Sequence, residues 1–324
     1  MTTNHIVNLG HDIYQIELVN RMEGGRSTGY FIDAEQKTIV EMGASVSVPH
    51  VLNALKQLNI APEEITYVIV THIHLDHAGG AGLLLEKLPN AKLVVHPRGA
   101  RHMIDPSKLI AGAKQVYGDE FDQLFGPMVP VPQEKIIIAN DEFKLSIGDN
   151  RTLYFYDSPG HAYHHFAVYD PASKGIFSGD SIGMSAPWLQ EKFGFDFYAP
   201  TSSPVQFDPE AMIATLRRFM ELDIEQVFMT HYGRHGDAKH VIAENIERAE
   251  AFTHIAEEAY QENPTWEYTA EKLRQYFHKE LRKLGVPEND PVLDSFTFDI
   301  EMDAKGMFHY MQMRTHSETH QIKK

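Results

Sequence analysis

Short apolar runs alternate with helical patterns along the first half of the chain. Tyr67-Val68-Ile69-Val70 is a continuous apolar run, which is typical of a buried strand. Before it, one helical face carries Val51, Leu52, Leu55 and Leu58, so that segment predicts an amphipathic helix. Similar patterns predict strands at 13–19, 28–33, 38–40 and 92–96, a helix at 81–88 and an irregular, mainly helical insertion at 98–125.

The second half of the chain repeats this theme with two predicted β-hairpins. The first joins 143–147 to 153–157 through Gly148-Asp149-Asn150, and the second joins 165–170 to 175–178. Helices are predicted at 209–222 and 238–260, a strand at 226–230, and a mostly helical segment from 264 onward. Two strand-rich halves with helices between them predict two sheets packed face to face, with helices outside.

The segment directly after the Tyr67–Val70 run crowds metal-binding side chains together. Thr71-His72-Ile73-His74-Leu75-Asp76-His77 places three imidazoles and a carboxylate within six residues. Histidine nitrogens and aspartate oxygens are ligands for zinc and similar divalent ions. The chain has 19 histidines, so a histidine-rich polar turn is the alternative. That alternative does not account for an aspartate among the histidines at a strand's end, and we predict a metal site.

Three other strand ends carry one possible ligand each. These segments are Ser158-Pro159-Gly160-His161, Phe177-Ser178-Gly179-Asp180 and Met229-Thr230-His231-Tyr232-Gly233. The glycine in each segment permits the close backbone approach that such loops need. A single histidine or aspartate in a loop is weak evidence. Four such segments at the same end of their strands predict that the loops converge on one metal site.

The composition limits the chemistry and the partners of this chain. With no cysteine, the chain has no thiolate ligand and no thiol nucleophile, which also fits a cytoplasmic protein. The formal charge of −16 argues against broad contact with nucleic-acid phosphates, so we expect no nucleic-acid partner. No apolar stretch reaches membrane-spanning length, and the first five residues lack the features of a secretion signal. We therefore expect a cytoplasmic enzyme without membrane contact.

The histidine motif closely resembles that of the metallo-β-lactamase superfamily. The matching residues are His72, His74, Asp76, His77, His161, Asp180 and His231. The resemblance implies an α/β fold, a four-layer αβ/βα sandwich, with a two-metal site at one edge of the sheets. It covers roughly residues 1–240, which we predict to be the catalytic domain. We predict that residues 241–324 form a helical C-terminal extension packed on that same domain.

The resemblance also implies how the ligands are shared. The first metal would be held by His72, His74 and His161, and the second by Asp76, His77 and His231, with Asp180 bridging both. The expected ions are two zinc ions, with iron or manganese as alternatives. Family members usually carry an aspartate where this chain has Glu41, and we expect Glu41 to support the metal loop with its longer arm.

Several residues are candidates for binding the substrate. Met184–Pro204 is rich in aromatic residues, which predicts either an apolar wall over the metals or ordinary packing of a long loop. The candidates are Trp188, Phe195, Tyr198, Tyr232 and His235. His164 and His165 follow a ligand loop directly. We expect at most one of them beside the ligands, because consecutive strand residues point to opposite faces.

The leading hypothesis for function is a binuclear metal-dependent hydrolase of small esters, meaning phosphoesters, lactones or thioesters. Two divalent ions about 3.5–4 Å apart lower the pKa of a shared water, and the bridging hydroxide attacks the ester. Asp76 and Asp180 are the predicted catalytic carboxylates, since Asp76 can hold the proton of the nucleophile. Glutathione thioesters are disfavoured because no clear basic constellation for a glutathione carboxylate is present. β-Lactams are disfavoured because those enzymes are generally secreted.

Two other functions stay open at this point. One is a di-iron redox or oxygen-binding protein, although such relatives usually carry a glutamate at the position of His74 and a flavodoxin-like domain. The other is a metal-dependent sensor. The substrate should be a small molecule, and the C-terminal helices could serve a homodimer.

Overall fold

The structure is a computed structural model that describes residues 6–20 and 23–321. It divides into two compact units. The first, here called the sheet unit, comprises the described residues of Met1–Asp157, His164–Gly179 and Asp223–Ala238. The second, here called the helical unit, comprises Ser158–Tyr163, Asp180–Leu222 and the described residues of Lys239–Lys324. The predicted boundary at residue 240, and the packing of the extension on the catalytic domain, stay predictions.

The first sheet of the sheet unit has seven strands in chain order. They are β1 (Ile6–Gly10), β2 (Ile13–Asn20), β3 (Glu23–Ile32), β4 (Lys37–Val40), β5 (Ile65–Ile69), β6 (Lys92–Val95) and β7 (Ile136–Ile138). The strands β1 to β4 pair antiparallel, and β4 to β7 pair parallel. The predicted strands β2 to β6 are confirmed. The edge strands β1 and β7 were not predicted; both are short and partly exposed, and β7 consists of only three isoleucines.

The second sheet has six strands in the order β15-β14-β11-β10-β9-β8. They are β8 (Lys144–Gly148), β9 (Arg151–Asp157), β10 (Phe166–Asp170), β11 (Gly175–Gly179), β14 (Gln226–Met229) and β15 (Gly233–Gly236). Both predicted hairpins are confirmed, since β8 pairs antiparallel with β9 and β10 with β11. Only the pair β11 and β14 is parallel among the described strands of this sheet.

One hydrophobic core joins the facing sides of the two sheets. Tyr30 of β3 lies with its ring centroid 5.2 Å from that of Phe177 in β11. Phe177 in turn stacks on Phe228 of β14 at 4.6 Å. Alternate residues of β3 point the other way, so Phe31 belongs to a second core beneath the helices. The predicted face-to-face packing of the sheets is therefore confirmed.

Six α-helices accompany the first sheet within the sheet unit. They are α1 (Val48–Gln57), α2 (Leu75–Ala78), α3 (Ala81–Lys87), α4 (Pro97–Ile104), α5 (Ser107–Tyr117) and α6 (Phe121–Phe125). The predicted helical face of α1 is confirmed, because Val51 and Leu55 are buried against the outer side of this sheet. The predicted helical insertion is confirmed as α4 to α6.

The helical unit contains five α-helices and a small two-stranded ribbon. They are β12 (Met184–Ser185), β13 (Tyr198–Ala199), α7 (Pro187–Phe193), α8 (Pro209–Met220), α9 (Ala238–Glu262), α10 (Trp266–Lys283) and α11 (Thr297–Gln321). Its core is aromatic: the ring centroids of Phe197 and Phe277 lie 5.8 Å apart, and Phe277 lies 5.2 Å from Phe296. Among the described residues, none of the helices combines the length and apolarity needed to cross a membrane.

Candidate metal centre

The histidine motif lies directly after the central strand β5. This strand ends at Ile69, and α2 begins at Leu75, so Asp76 and His77 stand on the first turn of a short helix. His72 and His77 are fully buried, whereas the Asp76 side chain keeps 30% of its surface exposed. The motif after the apolar run therefore places the imidazoles of His72 and His77 in the interior and leaves the Asp76 carboxylate accessible.

Three donor atoms of the sheet unit converge on one point. The Nε2 atoms of His77 and His231 lie 3.3 Å apart, and Asp76 Oδ2 lies 3.4 Å from His231 Nε2 and 3.8 Å from His77 Nε2. Zinc–nitrogen bonds of about 2.0–2.1 Å in a tetrahedral arrangement separate the ligand atoms by roughly 3.3 Å. The spacing of these three residues therefore fits a divalent metal ion.

Hydrogen bonds on the far side of each ring direct the Nε2 atoms toward this point. Glu41 Oε2 accepts a short hydrogen bond from His77 Nδ1, and Glu41 Oε1 accepts from the Thr71 backbone N–H at 2.6 Å. Ser27 Oγ lies 3.1 Å from His231 Nδ1. Such partners fix the tautomer and orientation of a ligating histidine. Glu41 has the supporting role expected from the sequence, because it contacts both the predicted ligand His77 and the loop before it.

Strand β3 fixes the end of β14, from which His231 extends. Thr28 Oγ1 and the Tyr30 hydroxyl both donate to the Met229 carbonyl, at 2.8 and 2.5 Å. The backbone N–H of Thr28 donates to the Thr230 carbonyl at 2.8 Å. Burial raises the pKa of Tyr30 above its usual range, so its hydroxyl keeps the proton that it donates. These supporting residues could not be identified from the sequence, because alternating polar and apolar positions are ordinary in a strand.

His72 and His74 form a second pair in the sheet unit. His72 Nε2 lies 2.8 Å from His74 Nδ1, and Thr71 Oγ1 lies 3.2 Å from His72 Nδ1. The expectation that at most one of His164 and His165 lies beside the ligands is wrong. Their ring centroids lie 6.1 and 4.7 Å from that of His72. Both residues precede β10 in a turn, where the two-residue alternation of a strand does not apply.

Two of the predicted close backbone approaches are confirmed. Gly179 has a φ of +51°, and a Cβ there would lie 2.3 Å from Thr71 Oγ1 and 2.6 Å from His165 Nε2. Gly160 has a φ of +137°, and a Cβ there would lie 2.4 Å from Met212 Cα. Any larger side chain would displace these segments, so glycine is required where the ligand loops leave their strands.

The helical unit holds the other two predicted ligands next to each other. His161 Nε2 lies 3.4 Å from Asp180 Oδ2, and the two side chains are 4% and 7% exposed. His161 Nδ1 donates to the Thr201 carbonyl at 3.0 Å, which leaves the Nε2 lone pair facing the carboxylate. This pair has the same ligand spacing as the group in the sheet unit. The division of the seven ligands between two ions stays a prediction.

The predicted substrate residues have local partners. Trp188 Nε1 donates to Ser295 Oγ at 3.0 Å, and Tyr198 is buried in β13. Phe195 lies 6.0 Å from Phe193 between ring centroids. His235 Nε2 lies 3.0 Å from the Tyr232 carbonyl. These contacts favour packing for Trp188 and Tyr198, and a role in substrate binding stays a prediction for all five residues.

Comparison with known proteins identifies one matching family and several relatives of this chain. The family model of the metallo-beta-lactamase superfamily matches residues 22–231. The metallo-beta-lactamase fold-containing protein ST1585 of Sulfurisphaera tokodaii is 28% identical over 174 residues, which are 53% of this chain and 62% of that protein. The N-acyl homoserine lactonase AttM of Rhizobium johnstonii is 30% identical over 160 residues, 48% of this chain and 55% of that protein. This chain thus spans less than two thirds of the length of either relative.

Solved structures show the same fold. The crystal structure of ST1585 from Sulfolobus tokodaii matches with a TM-score of 0.61 at 24% identity, over 73% of this chain and 85% of that one. The Flv1 flavodiiron core from Synechocystis sp. PCC6803 matches with a TM-score of 0.56 at 15% identity, over 78% of this chain and 62% of that one. The predicted αβ/βα sandwich fold with helices at its C-terminus is confirmed.

Proposed function

The chain belongs to the metallo-β-lactamase superfamily, and on that premise we propose that it is a metal-dependent hydrolase of small esters that uses two zinc ions. The observation that carries this proposal is the group formed by Asp76, His77 and His231. Its donor atoms have the mutual spacing of zinc ligands, and Glu41 and Ser27 hold the two imidazoles from behind.

The proposed ligand set extends this group to all seven matching positions. His72, His74 and His161 would hold one ion, Asp76, His77 and His231 the other, and Asp180 both. The spacing of 3.4 Å between His161 Nε2 and Asp180 Oδ2 supports the assignment for the helical unit.

The reaction would divide between the ions and the chain. Two bound divalent ions supply a hydroxide nucleophile near neutral pH and stabilise negative charge on the substrate. Asp76 is the group that would hold a proton, because its partly exposed carboxylate can accept a hydrogen bond from the nucleophile and pass the proton to the leaving group. The buried His72 and His77 would keep bulk water away from the other side of the site.

Lactones are the first substrate class to test. The relative AttM is named an N-acyl homoserine lactonase. Its 30% identity to this chain extends over 160 residues, which are 55% of AttM. Phosphoesters and thioesters remain in the proposal, because the same ligands serve acyl and phosphoryl substrates.

Metal analysis and turnover test this proposal together. We expect two zinc ions per purified chain and hydrolysis of at least one member of a panel of lactones, phosphodiesters and thioesters. Asp180→Ala should lower kcat at least about 100-fold, because even partners that only orient a ligand cost 10–100-fold. The matched control is Asp149→Ala, which removes an exposed carboxylate in the β8–β9 turn.

The other outcomes identify the competing functions. Two iron ions with an oxygen-sensitive visible spectrum would favour the di-iron redox protein, and two ions without any turnover would favour a sensor. A wild-type protein that binds no ion would overturn the proposal.

A further inference from the structure

The C-terminal helix α11 lies beyond residues 22–231, which the family model matches. It nevertheless contacts the loop of residues 201–203, which holds the predicted metal ligand His161. Asp303 of this helix is 4% exposed, and its Oδ1 accepts a hydrogen bond from the Ser202 backbone N–H at 2.8 Å. Ser202 Oγ donates to the Asp303 carbonyl at 3.2 Å. Side chain and backbone of Asp303 thus both bind one residue of the loop.

A glycine lets the helix approach this loop closely. A Cβ at Gly306, one turn after Asp303, would lie 2.5 Å from Ser202 Oγ and 2.6 Å from the Ser203 carbonyl oxygen. Since real Cβ atoms do not approach other atoms so closely, residues 202–203 rest directly on the helix backbone. The position of the loop therefore depends on α11.

The same loop, residues 201–203, holds the two predicted ligands of the helical unit. The Thr201 carbonyl accepts from His161 Nδ1 at 3.0 Å, and Ser203 Oγ donates to the His161 carbonyl at 2.6 Å. Thr201 Oγ1 donates to the Asp180 carbonyl at 3.2 Å. The imidazole of His161 is thus fixed through both its ring and its backbone.

We propose that Asp303 is a positioning residue for the metal ligand His161, which it holds in place through residues 201–203. This inference rests on the proposed function, in which His161 and Asp180 bind metal, and it assigns a part of that function to α11. Replacement of a residue that orients a ligating histidine commonly lowers metal affinity by about 10–100-fold. A helix outside the matched region therefore contributes to metal binding.

The chemistry of Asp303 suggests a conservative variant. Burial raises the pKa of Asp303 well above its usual value, which favours the neutral carboxylic acid in the folded chain. Asparagine has the same shape and keeps an oxygen that can accept from the Ser202 N–H. Alanine removes that acceptor and leaves the buried N–H without it.

The test measures zinc affinity of the folded, metal-free protein by competition with a chromophoric chelator. Asp303→Ala should raise the Kd of one of the two zinc ions by about 10–100-fold, whereas Asp303→Asn should restore the wild-type Kd. Arg314→Ala is the matched control, because it removes an ion pair with Glu257 (2.5 Å) from the same helix. We expect the control to keep the wild-type Kd.

A lower melting temperature of metal-free Asp303→Ala with both zinc Kd values unchanged would show a merely structural role and overturn the inference. Should this variant fail to fold, Ser203→Ala and Gly306→Ala perturb the same loop and should raise the same Kd; unchanged values would again overturn it. A wild-type protein that binds no zinc overturns the proposed function itself. Two ions bound equally well by wild type and variants overturn only the role of Asp303.

Discussion

The two units hold their predicted ligands by different means. In the sheet unit, the supporting residues stand on neighbouring strands: Glu41 follows β4, and Thr71 follows the parallel strand β5, whose Ile69 pairs with Val40. In the helical unit, the support for His161 comes from residues 201–203, which Asp303 holds from a helix more than 90 residues further along the chain. Strand register positions the first set of ligands, and helix packing positions the second.

The two units should therefore differ in how they tolerate amino-acid substitutions. Strand register is shared by many backbone hydrogen bonds, so the loss of one side chain should act locally. Helix α11 packs instead against α10, which contributes Phe277 to an aromatic core where Phe197, Phe277 and Phe296 are almost fully buried. We therefore expect core substitutions to be costly in the helical unit and support substitutions to be specific in the sheet unit.

The largest effect expected from this comparison is that of Phe197→Ala. Phe197 is 1% exposed and packs with its ring centroid 5.5 Å from that of Phe296. Its removal leaves a cavity that should cost about 3–5 kcal/mol of unfolding free energy. Urea unfolding of the metal-free protein measures this cost.

The matched control is Phe195→Ala, which removes a half-buried ring from the same segment. It should cost clearly less stability. If Phe197→Ala instead kept its stability and changed only KM, this aromatic segment would line the substrate site, and the contrast between the units would be lost.

The next effect in size is that of Glu41→Ala on metal binding by the sheet unit. The variant removes the acceptor for both His77 Nδ1 and the Thr71 N–H, so zinc affinity should fall about 10–100-fold. Glu41→Asp supplies the residue usual in the family with a shorter arm, and it should give an intermediate loss. Chelator competition measures both. Wild-type affinity in Glu41→Ala would remove Glu41 from the support of the site.

The comparison also explains how much of the site the sequence could predict. The histidine motif follows an apolar run, and because a buried strand must end at the sheet's edge, the run predicts where the motif lies. His161 and Asp180 could be identified in the same way, since each also follows a strand. The supporting role of Glu41 came from the family resemblance, because relatives usually carry an aspartate at this position.

The supports of the helical unit could not be predicted. Asp303 looks like one acidic residue of a helix until the burial of its carboxylate is known, and nothing in the local pattern connects it to Ser202. Contacts between residues far apart in the chain depend on tertiary packing, which periodicity does not encode. The prediction for His164 and His165 was wrong for a related reason. It placed His165 in a strand, whereas β10 begins at Phe166.

A smaller effect is expected from Tyr30→Phe, which tests the local character of support in the sheet unit. The variant removes one of two side-chain donors to the Met229 carbonyl, so Thr28 still satisfies that oxygen. The unfolding free energy should fall by about 1 kcal/mol, and zinc affinity should stay unchanged. Tyr14→Phe is the control. A large loss of zinc affinity in Tyr30→Phe would show that β3 acts on His231 beyond its local hydrogen bond.

The last expected effect is a pH dependence of stability that belongs to the helical unit. Burial raises the pKa of Asp303 well above its unfolded value of about 3.9. Between about pH 4 and that raised pKa the folded chain binds more protons than the unfolded chain, so the unfolding free energy falls as the pH rises. Asp303→Asn does not titrate. Its unfolding free energy relative to wild type should therefore increase from pH 4 to pH 7, in chelator and urea. The titration of the metal ligands is common to both proteins and cancels in this difference. A difference that stays constant with pH would mean that Asp303 keeps its usual pKa, and that the helix holds residues 201–203 with a charged carboxylate.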